Sequence, residues 1–253
     1  MIFESKGLTR YFGGLTAVGN LDMHVNKGEI VGLIGPNGAG KTTVFNLITG
    51  FIRPSSGTVF FDSKDITALK PHVIAKLGIG RTFQLNPLFG EYSVLENVIA
   101  SFFLHPKSSL WGAFLKTRTY RANESYIEEQ ALAILDLLGL DKAKDDLAKN
   151  LPHGYQKMLG VARALATKPK LLLLDEPLGG MNGDEIEFAM EVVEKVRMQG
   201  ITILLVEHNM QIMDIVDRVV VINFGQKICE GTIDEVRENK EVAEAYFGIE
   251  HPA

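Results

Sequence analysis

Apolar positions along this chain follow two rhythms, and the alternation between them gives the first prediction. Short, nearly continuous apolar runs occur at Glu29-Ile-Val-Gly-Leu-Ile34, at Leu171 to Leu174 and at Ile201 to Val206. Runs of that length read as strands buried on both faces. Between them lie segments of helical period: Thr42 to Gly50, Pro71 to Leu77, Gly154 to Thr167 and Asp184 to Gln199. The last places Ile186, Met190 and Val193 on one face and Glu187, Glu191 and Glu194 on the other, and Gly200 stops it. Strands separated by helices of this size predict a mainly parallel sheet covered on both sides. Near the start, Ile2 to Leu8 and Ala17 to Val25 read instead as short strands of an antiparallel layer, with Leu21, Met23 and Val25 alternating. Gly57 to Asp62 reads as a further strand. Gly80-Arg-Thr-Phe-Gln84 reads as one ending at Gln84, before the loop signal Asn86-Pro87.

The texture changes between Asn86 and about Asn150. Helical patterns dominate, and Ile127, Ala131, Ile134, Leu135 and Leu138 share one helix face. Ahead of that helix, Phe102-Phe-Leu104 and Leu110-Trp-Gly-Ala-Phe-Leu115 flank a His-Pro-Lys-Ser-Ser turn. This aromatic patch is either the core of a small helical subdomain or a docking surface for another protein.

Composition narrows the picture. At 253 residues there is room for one large α/β domain or two small ones, and 46% apolar with 23% charged residues suits a well-buried fold. A net charge of −5 argues against a dedicated nucleic-acid binder. The single cysteine, Cys229, can form no internal disulfide and reads as a small buried residue of a late strand. Met1-Ile-Phe-Glu-Ser-Lys6 lacks the order of a secretion signal, and no run approaches the roughly twenty apolar residues that span a bilayer. The expectation is a cytoplasmic chain whose membrane role comes through a partner.

The chemistry concentrates at Gly35-Pro36-Asn37-Gly38-Ala39-Gly40-Lys41-Thr42-Thr43, which matches the pattern Gly-x4-Gly-Lys-[Ser/Thr]. It sits between a buried strand and a helix, the context a phosphate loop requires. Gly38 and Gly40 let consecutive N–H groups converge on a phosphate, and the helix that follows offers its positive end. Lys41 reaches the β- and γ-phosphates of a nucleoside triphosphate, and the Thr42 hydroxyl completes Mg²⁺ coordination. Asp175 and Glu176 stand at the carboxyl end of a buried strand, where open α/β sheets bind ligands. Asp175 suits holding Mg²⁺, and Glu176 suits taking a proton from the attacking water. His208 ends the next strand in the same way. Taken alone, Gln84 is a solvated strand end and Phe12 an aromatic beside a glycine turn. The histidines show no zinc-ligand spacing, so Mg²⁺ is the only metal expected.

The order of these pieces, together with Leu151-Pro-His-Gly-Tyr-Gln156, Leu-Leu-Leu-Leu-Asp-Glu-Pro177 and Val206-Glu-His208, resembles an ATP-binding subunit of an ABC transporter over essentially the whole chain. The resemblance implies an α/β P-loop NTPase core with a mainly parallel sheet, an N-terminal antiparallel β layer and an inserted α-helical subdomain. Residues 1–85 and 154–253 would form the core and 86–153 the insert. It also implies that Phe12 stacks on adenine, with Tyr11 a weaker candidate, and that Gln84 contacts Mg²⁺ or the attacking water. His208 would hold the γ-phosphate, and Asn182 would lie in a loop crossing a dimer interface. Two such subunits sandwich two ATP molecules, each borrowing the partner's Leu-Ser-Gly-Gly-Gln segment. Here Pro152, His153 and Tyr155 depart from that segment while Leu151, Gly154 and the trailing Gln156 remain; Pro152 is expected in the first helical turn, and His153 stands in for the lost hydroxyl.

Arg81-Thr-Phe-Gln84, the aromatic insert and the tail Ala245-Tyr-Phe-Gly248 are similar to the ATPase subunits of branched-chain amino acid importers. That subgroup implies a second ATPase, identical or different, two membrane permease subunits at the cytoplasmic face, and a soluble substrate-binding protein. Leu88, Phe89, Tyr92 and the insert are the docking candidates. Relatives handling urea, amides or lipopolysaccharide are alternatives, as is a soluble ABC ATPase of DNA repair or translation. A small-molecule kinase would explain neither His208 nor Leu151 to Gln156.

Overall fold

The computed structural model describes residues 1–83, 87–102, 118–207, 212 and 214–247. In chain order its strands are β1 (Phe3–Phe12), β2 (Leu15–Val25), β3 (Ile30–Ile34), β4 (Ser56–Phe61) and β5 (Lys64–Asp65). They continue with β6 (Ile79–Arg81), β7 (Leu171–Asp175), β8 (Thr202–Val206), β9 (Arg218–Asn223) and β10 (Gln226–Gly231). An antiparallel sheet has the order β2-β1-β4-β5, and a second sheet the order β10-β9-β3-β8-β7-β6. In the second, β9, β3, β8, β7 and β6 are parallel, and β10 adds an antiparallel edge.

The helices are α1 (Lys41–Ile48), α2 (Pro71–Leu77), α3 (Val94–Ser101), α4 (Arg118–Leu137), α5 (His153–Ala166), α6 (Gly183–Met198), α7 (Ile233–Arg237) and α8 (Lys240–Phe247). None of these helices is long and apolar enough to cross a membrane.

All residues of β3, β7 and β8 are buried, as their unbroken apolar runs require. Successive side chains point to opposite faces. Val31, Leu33, Leu171 and Leu173 pack with Phe3, Leu21 and Phe45 under the antiparallel sheet and α1. Ile30, Ile34, Leu172 and Leu174 pack with Val98, Leu135, Leu159 and Val193 under α3 to α6. Each such leucine, fully buried, contributes about 1.5–3 kcal/mol. On α4, Ala131 and Leu135 are fully buried, as is Leu138 just beyond it, while Ile127 and Ile134 flank them half-buried.

Several boundaries differ from the sequence reading. β1 runs on past Leu8 to Phe12, because register shifts between Ser5 and Tyr11 break the alternation without ending the pairing. β6 stops at Arg81 rather than Gln84. Thr82 still donates its N–H to the Leu173 carbonyl at 2.9 Å, but its hydroxyl takes the Asp175 N–H at 3.1 Å, so a side chain replaces the ladder there. α5 begins at His153, and Pro152 is its N-cap rather than a first-turn residue. An N-cap N–H has no partner within the helix, so the missing proline N–H leaves no helical bond unmade, and the Pro152 carbonyl accepts from Gln156 N–H at 3.0 Å. On α6 the buried face runs through Ile186, Ala189, Val193 and Val196, and Met190 is only half-buried. Cys229 lies on β10 as a late strand requires, but half-buried, because β10 is the edge of its sheet. Of the aromatic patch, Phe102 is described and buried, and 103–117 lie outside the described residues.

Candidate active site

Register brings the site together. Leu33 of β3 lies opposite Val206 of β8, and Val206 lies opposite Asp175 of β7. The chain therefore leaves all three strands at one edge, into the loop at Gly35, into Glu207 and into Glu176.

The phosphate loop turns through positive φ at Gly38 (+81°) and Gly40 (+104°). A Cβ on Gly40 would lie 2.4 Å from the Ala17 carbonyl oxygen, so only glycine fits. The loop is braced from outside: Gly225 N–H donates to the Ala39 carbonyl at 2.9 Å, and Gly19 N–H to the Gly225 carbonyl at 2.8 Å. Asn37, Gly38 and Thr42 are exposed on its crest, with Thr43 beside them half-buried, while Lys41 is buried at its base. The Lys41 ammonium donates to the Gly35 carbonyl at 2.6 Å and the Pro36 carbonyl at 2.9 Å. Burial holds its pKa below the ordinary lysine range, opposed by the charges of Glu176 and Asp175. Val44 N–H to the Gly40 carbonyl closes the first turn of α1. The N–H groups of Lys41, Thr42 and Thr43 thus face out of the helix end, as a phosphate cradle needs.

The two acids sit differently. Asp175 is buried, and its Oδ2 accepts from Arg81 Nη2 at 2.9 Å. Glu176 is half-buried with φ +50°, a left-handed conformation that costs a non-glycine residue on the order of 1 kcal/mol. Its N–H donates to the Val206 carbonyl at 2.9 Å, and its carbonyl accepts the Lys157 ammonium at 2.7 Å. Burial lowers the Lys157 pKa, against the charges of Glu207 and Glu176. Glu207, buried beside it, accepts the Leu178 N–H at 2.6 Å and ties down the loop after the acids.

Lys157 and Glu207 received no role from the sequence. The available signals were a lysine directly before the apolar pair Met158-Leu159 and an acid closing an apolar strand. Gln84 and His208 lie outside the described residues.

Phe12 is exposed at the tip of the β1–β2 hairpin, with the Arg10 guanidinium carbon 4.6 Å from its ring centroid. Tyr11 beside it is exposed as well. Pro152, His153 and Tyr155 are exposed at the start of α5, and Gly154 is buried against Glu185, whose Oε1 would lie 2.7 Å from an added Cβ. The His153 ring edge packs against Gly180. Asn182 caps α6, its Oδ1 accepting the Glu185 N–H at 3.1 Å. Among the described residues no hydrogen bond or ion pair joins 152–155 to 35–43. One chain does not bring these two segments together.

Next to Asp175 a groove of about 590 Å³ opens between the sheet edge and the helical layer, its walls including Phe51, Arg81, Phe83, Phe89 and Arg163. Phe51 and Phe83 meet edge-on at 5.6 Å, and Phe89 and Tyr92 at 5.7 Å. All four rings are exposed. Buried Asn97 fixes the loop that carries the second pair: its Oδ1 takes the Phe89 N–H, and its Nδ2 donates to the carbonyls of Phe89 and Ser93, each at 2.9 Å.

The sequence profile of a family described as ABC transporter matches residues 18–179, and one described as branched-chain amino acid ATP-binding cassette transporter matches 226–252. The chain is 41% identical over 249 residues to a high-affinity branched-chain amino acid transport ATP-binding protein, LivG, of Escherichia coli, covering 98% of both. It is 39% identical over 249 residues to the corresponding protein BraF of Pseudomonas aeruginosa, again covering 98% of both. Among solved structures it is similar to the ADP conformation of an ATP-binding cassette of an ABC transporter (TM-score 0.85, 35% identity, 98% of both chains). A nucleotide-free ATP-binding cassette from an ABC transporter matches with TM-score 0.84 and 34% identity, over 97% of this chain and 98% of the other. With an α/β P-loop fold, a phosphate loop and paired acids at one sheet edge, and these relatives along nearly its whole length, the chain belongs to the ABC transporter family as an ATP-binding cassette.

Proposed function

We propose that this chain is the ATP-hydrolysing subunit of an importer for branched-chain amino acids. The observation that carries the chemistry is the convergence of Lys41, Asp175 and Glu176 at one sheet edge, close enough that both acids oppose the lowering of the Lys41 pKa. In this reading the N–H groups of 38–43 and the Lys41 ammonium hold the β- and γ-phosphates of ATP, and Phe12 stacks on adenine. Thr42 and Asp175 hold Mg²⁺, which offsets phosphate charge when bound. Glu176, aimed by the Val206 and Lys157 contacts to its backbone, accepts the proton of the attacking water. Gln84 and His208, following Phe83 and Glu207 in sequence, complete the polar set around the γ-phosphate.

The exposed, open end of α5 supports a dimer. The N–H groups of His153 and Gly154, in the first turn of α5, have no partner within the helix and suit the γ-phosphate held by a second ATPase subunit, identical or different. The aromatic groove beside Asp175 suits a helix of a membrane permease subunit, which would hold this chain at the cytoplasmic face of a membrane. A soluble binding protein would deliver cargo to the permease and not to this chain.

The test is reconstitution with the membrane subunits encoded beside it and measurement of ATP-dependent leucine uptake against urea. Leucine accumulation that stops with Glu176→Gln is the expected result. Urea uptake without leucine uptake would reassign the cargo.

A further inference from the structure

The residue that ties the groove to the chemistry is Arg81, and the reading above gives it no role. Its side chain is buried in an ion pair with Asp175, at 6% and 4% exposure, with Nη2 donating to Oδ2 at 2.9 Å. Nη1 donates to Asn46 Oδ1 at 2.7 Å and Thr49 Oγ1 at 3.1 Å, both on or just after α1. The guanidinium carbon lies 4.9 Å from the Phe83 ring, 5.5 Å from Phe45 and 5.9 Å from Phe51. Nε is buried with no hydrogen-bond partner among the described residues, a cost that a purely structural pair would avoid.

Asp175 has a second oxygen. Among the described residues Oδ1 makes no hydrogen bond, while Oδ2 accepts from Arg81 and the backbone N–H donates to the Thr82 hydroxyl. The carboxylate is therefore held by one oxygen and presents the other. A planar guanidinium can do this while bonding α1, because its donors point in fixed, divergent directions. Partners of this kind, behind a ligating carboxylate, orient it and raise its metal affinity.

We propose that Arg81 is a positioning residue for the metal-holding carboxylate: it fixes Asp175 through Oδ2, so that Oδ1 faces the Mg²⁺ bound with ATP. This rests on the reading of Asp175 given above. Phe51 and Phe83, which line the groove, also pack on the guanidinium and help hold the side chain that aims Asp175.

The test uses the full chain carrying Glu176→Gln and a fluorescent ATP analogue, with binding followed as Mg²⁺ is titrated. Arg81→Met raises the half-saturating Mg²⁺ concentration by about tenfold or more, while binding in the absence of Mg²⁺ changes little. Arg81→Lys keeps a cation within reach of Asp175 and restores most of the Mg²⁺ dependence, an outcome that a general loss of stability would not produce. Phe51→Ala combined with Phe83→Ala gives a smaller shift in the same direction, about two- to fivefold. A half-saturating concentration unchanged in Arg81→Met, with Asp175→Asn shifted, overturns the role of Arg81 alone. If Asp175→Asn is also unshifted, the assignment of Asp175 falls with it. An unshifted phenylalanine pair overturns the link to the groove.

Discussion

The two edges of the six-stranded sheet each hold an arginine in an ion pair, half-buried Arg218 at one and the buried side chain of Arg81 at the other, yet they are built for different ends. At the amino edge, Arg218 bonds Glu29 at 2.7 Å, Glu230 and the His24 carbonyl. Asp217 accepts the Ile30 N–H at 2.8 Å and pairs with Arg197 at 2.8 Å, and Thr202 takes the Gly28 N–H at 3.0 Å. These side chains close the strand ends. At the carboxyl edge Arg81 also binds a carboxylate, but around it sit a buried lysine, a loop with N–H groups facing outward and Glu176 in a left-handed conformation. The amino edge pairs its side chains with one another and with strand ends, whereas at the carboxyl edge the N–H groups of the phosphate loop face out of the helix end. A charged pair at a strand end does not by itself mark a functional site; the phosphate loop beside it does.

Substitutions that separate the edges test this contrast. The largest effect belongs to Glu176→Gln, which lowers ATP hydrolysis by at least about a hundredfold while ATP still binds, measured by phosphate release and nucleotide retention. Substantial residual hydrolysis would show that another base operates. Arg218→Ala leaves Glu29 and Glu230 without their shared cation and lowers unfolding free energy by roughly 3 kcal/mol in a denaturant titration. ATP affinity stays unchanged in that variant, and a parallel loss of affinity would erase the distinction between the edges.

Lys41 gives a pH signature. Its pKa is lowered in the fold, so in the window between the folded and the higher unfolded pKa the unfolded chain binds more protons, and stability rises with pH there. ATP affinity needs the ammonium and falls over the same window. Titrating affinity and melting temperature together should show them moving in opposite directions, and Lys41→Met should remove both trends. The smallest effect is Asn182→Ala, which removes the α6 cap and costs about 1 kcal/mol in thermal unfolding.

Much of this is legible in the sequence. The runs Ile30–Ile34, Leu171–Asp175 and Thr202–Val206 are short, apolar and unbroken, so their burial and the edge where Lys41, Asp175 and Glu176 meet followed from pattern and motif. What stayed hidden depends on contacts between segments distant in sequence. The end of β6 is set by the Thr82 hydroxyl bonding Asp175, which no local propensity encodes. Arg81 was visible only as part of a resemblance, since its partners Asn46, Thr49 and Asp175 come from two other elements. Lys157 lies on a helix, and nothing in that helix announces that its ammonium reaches the Glu176 carbonyl. The exposed pair Phe89 and Tyr92 was named as a docking candidate, but the buried Asn97 that presents it was not, because an asparagine in a helix signals nothing by spacing.

Amide hydrogen exchange on the Glu176→Gln chain, with and without ATP and Mg²⁺, measures the contrast between the two edges directly. Protection should appear across Gly38 to Thr43 and Asp175 to Leu178, and be absent from Asn26 to Ile30 and Val216 to Arg218. Protection centred on the amino edge, or none in the phosphate loop, would contradict the account.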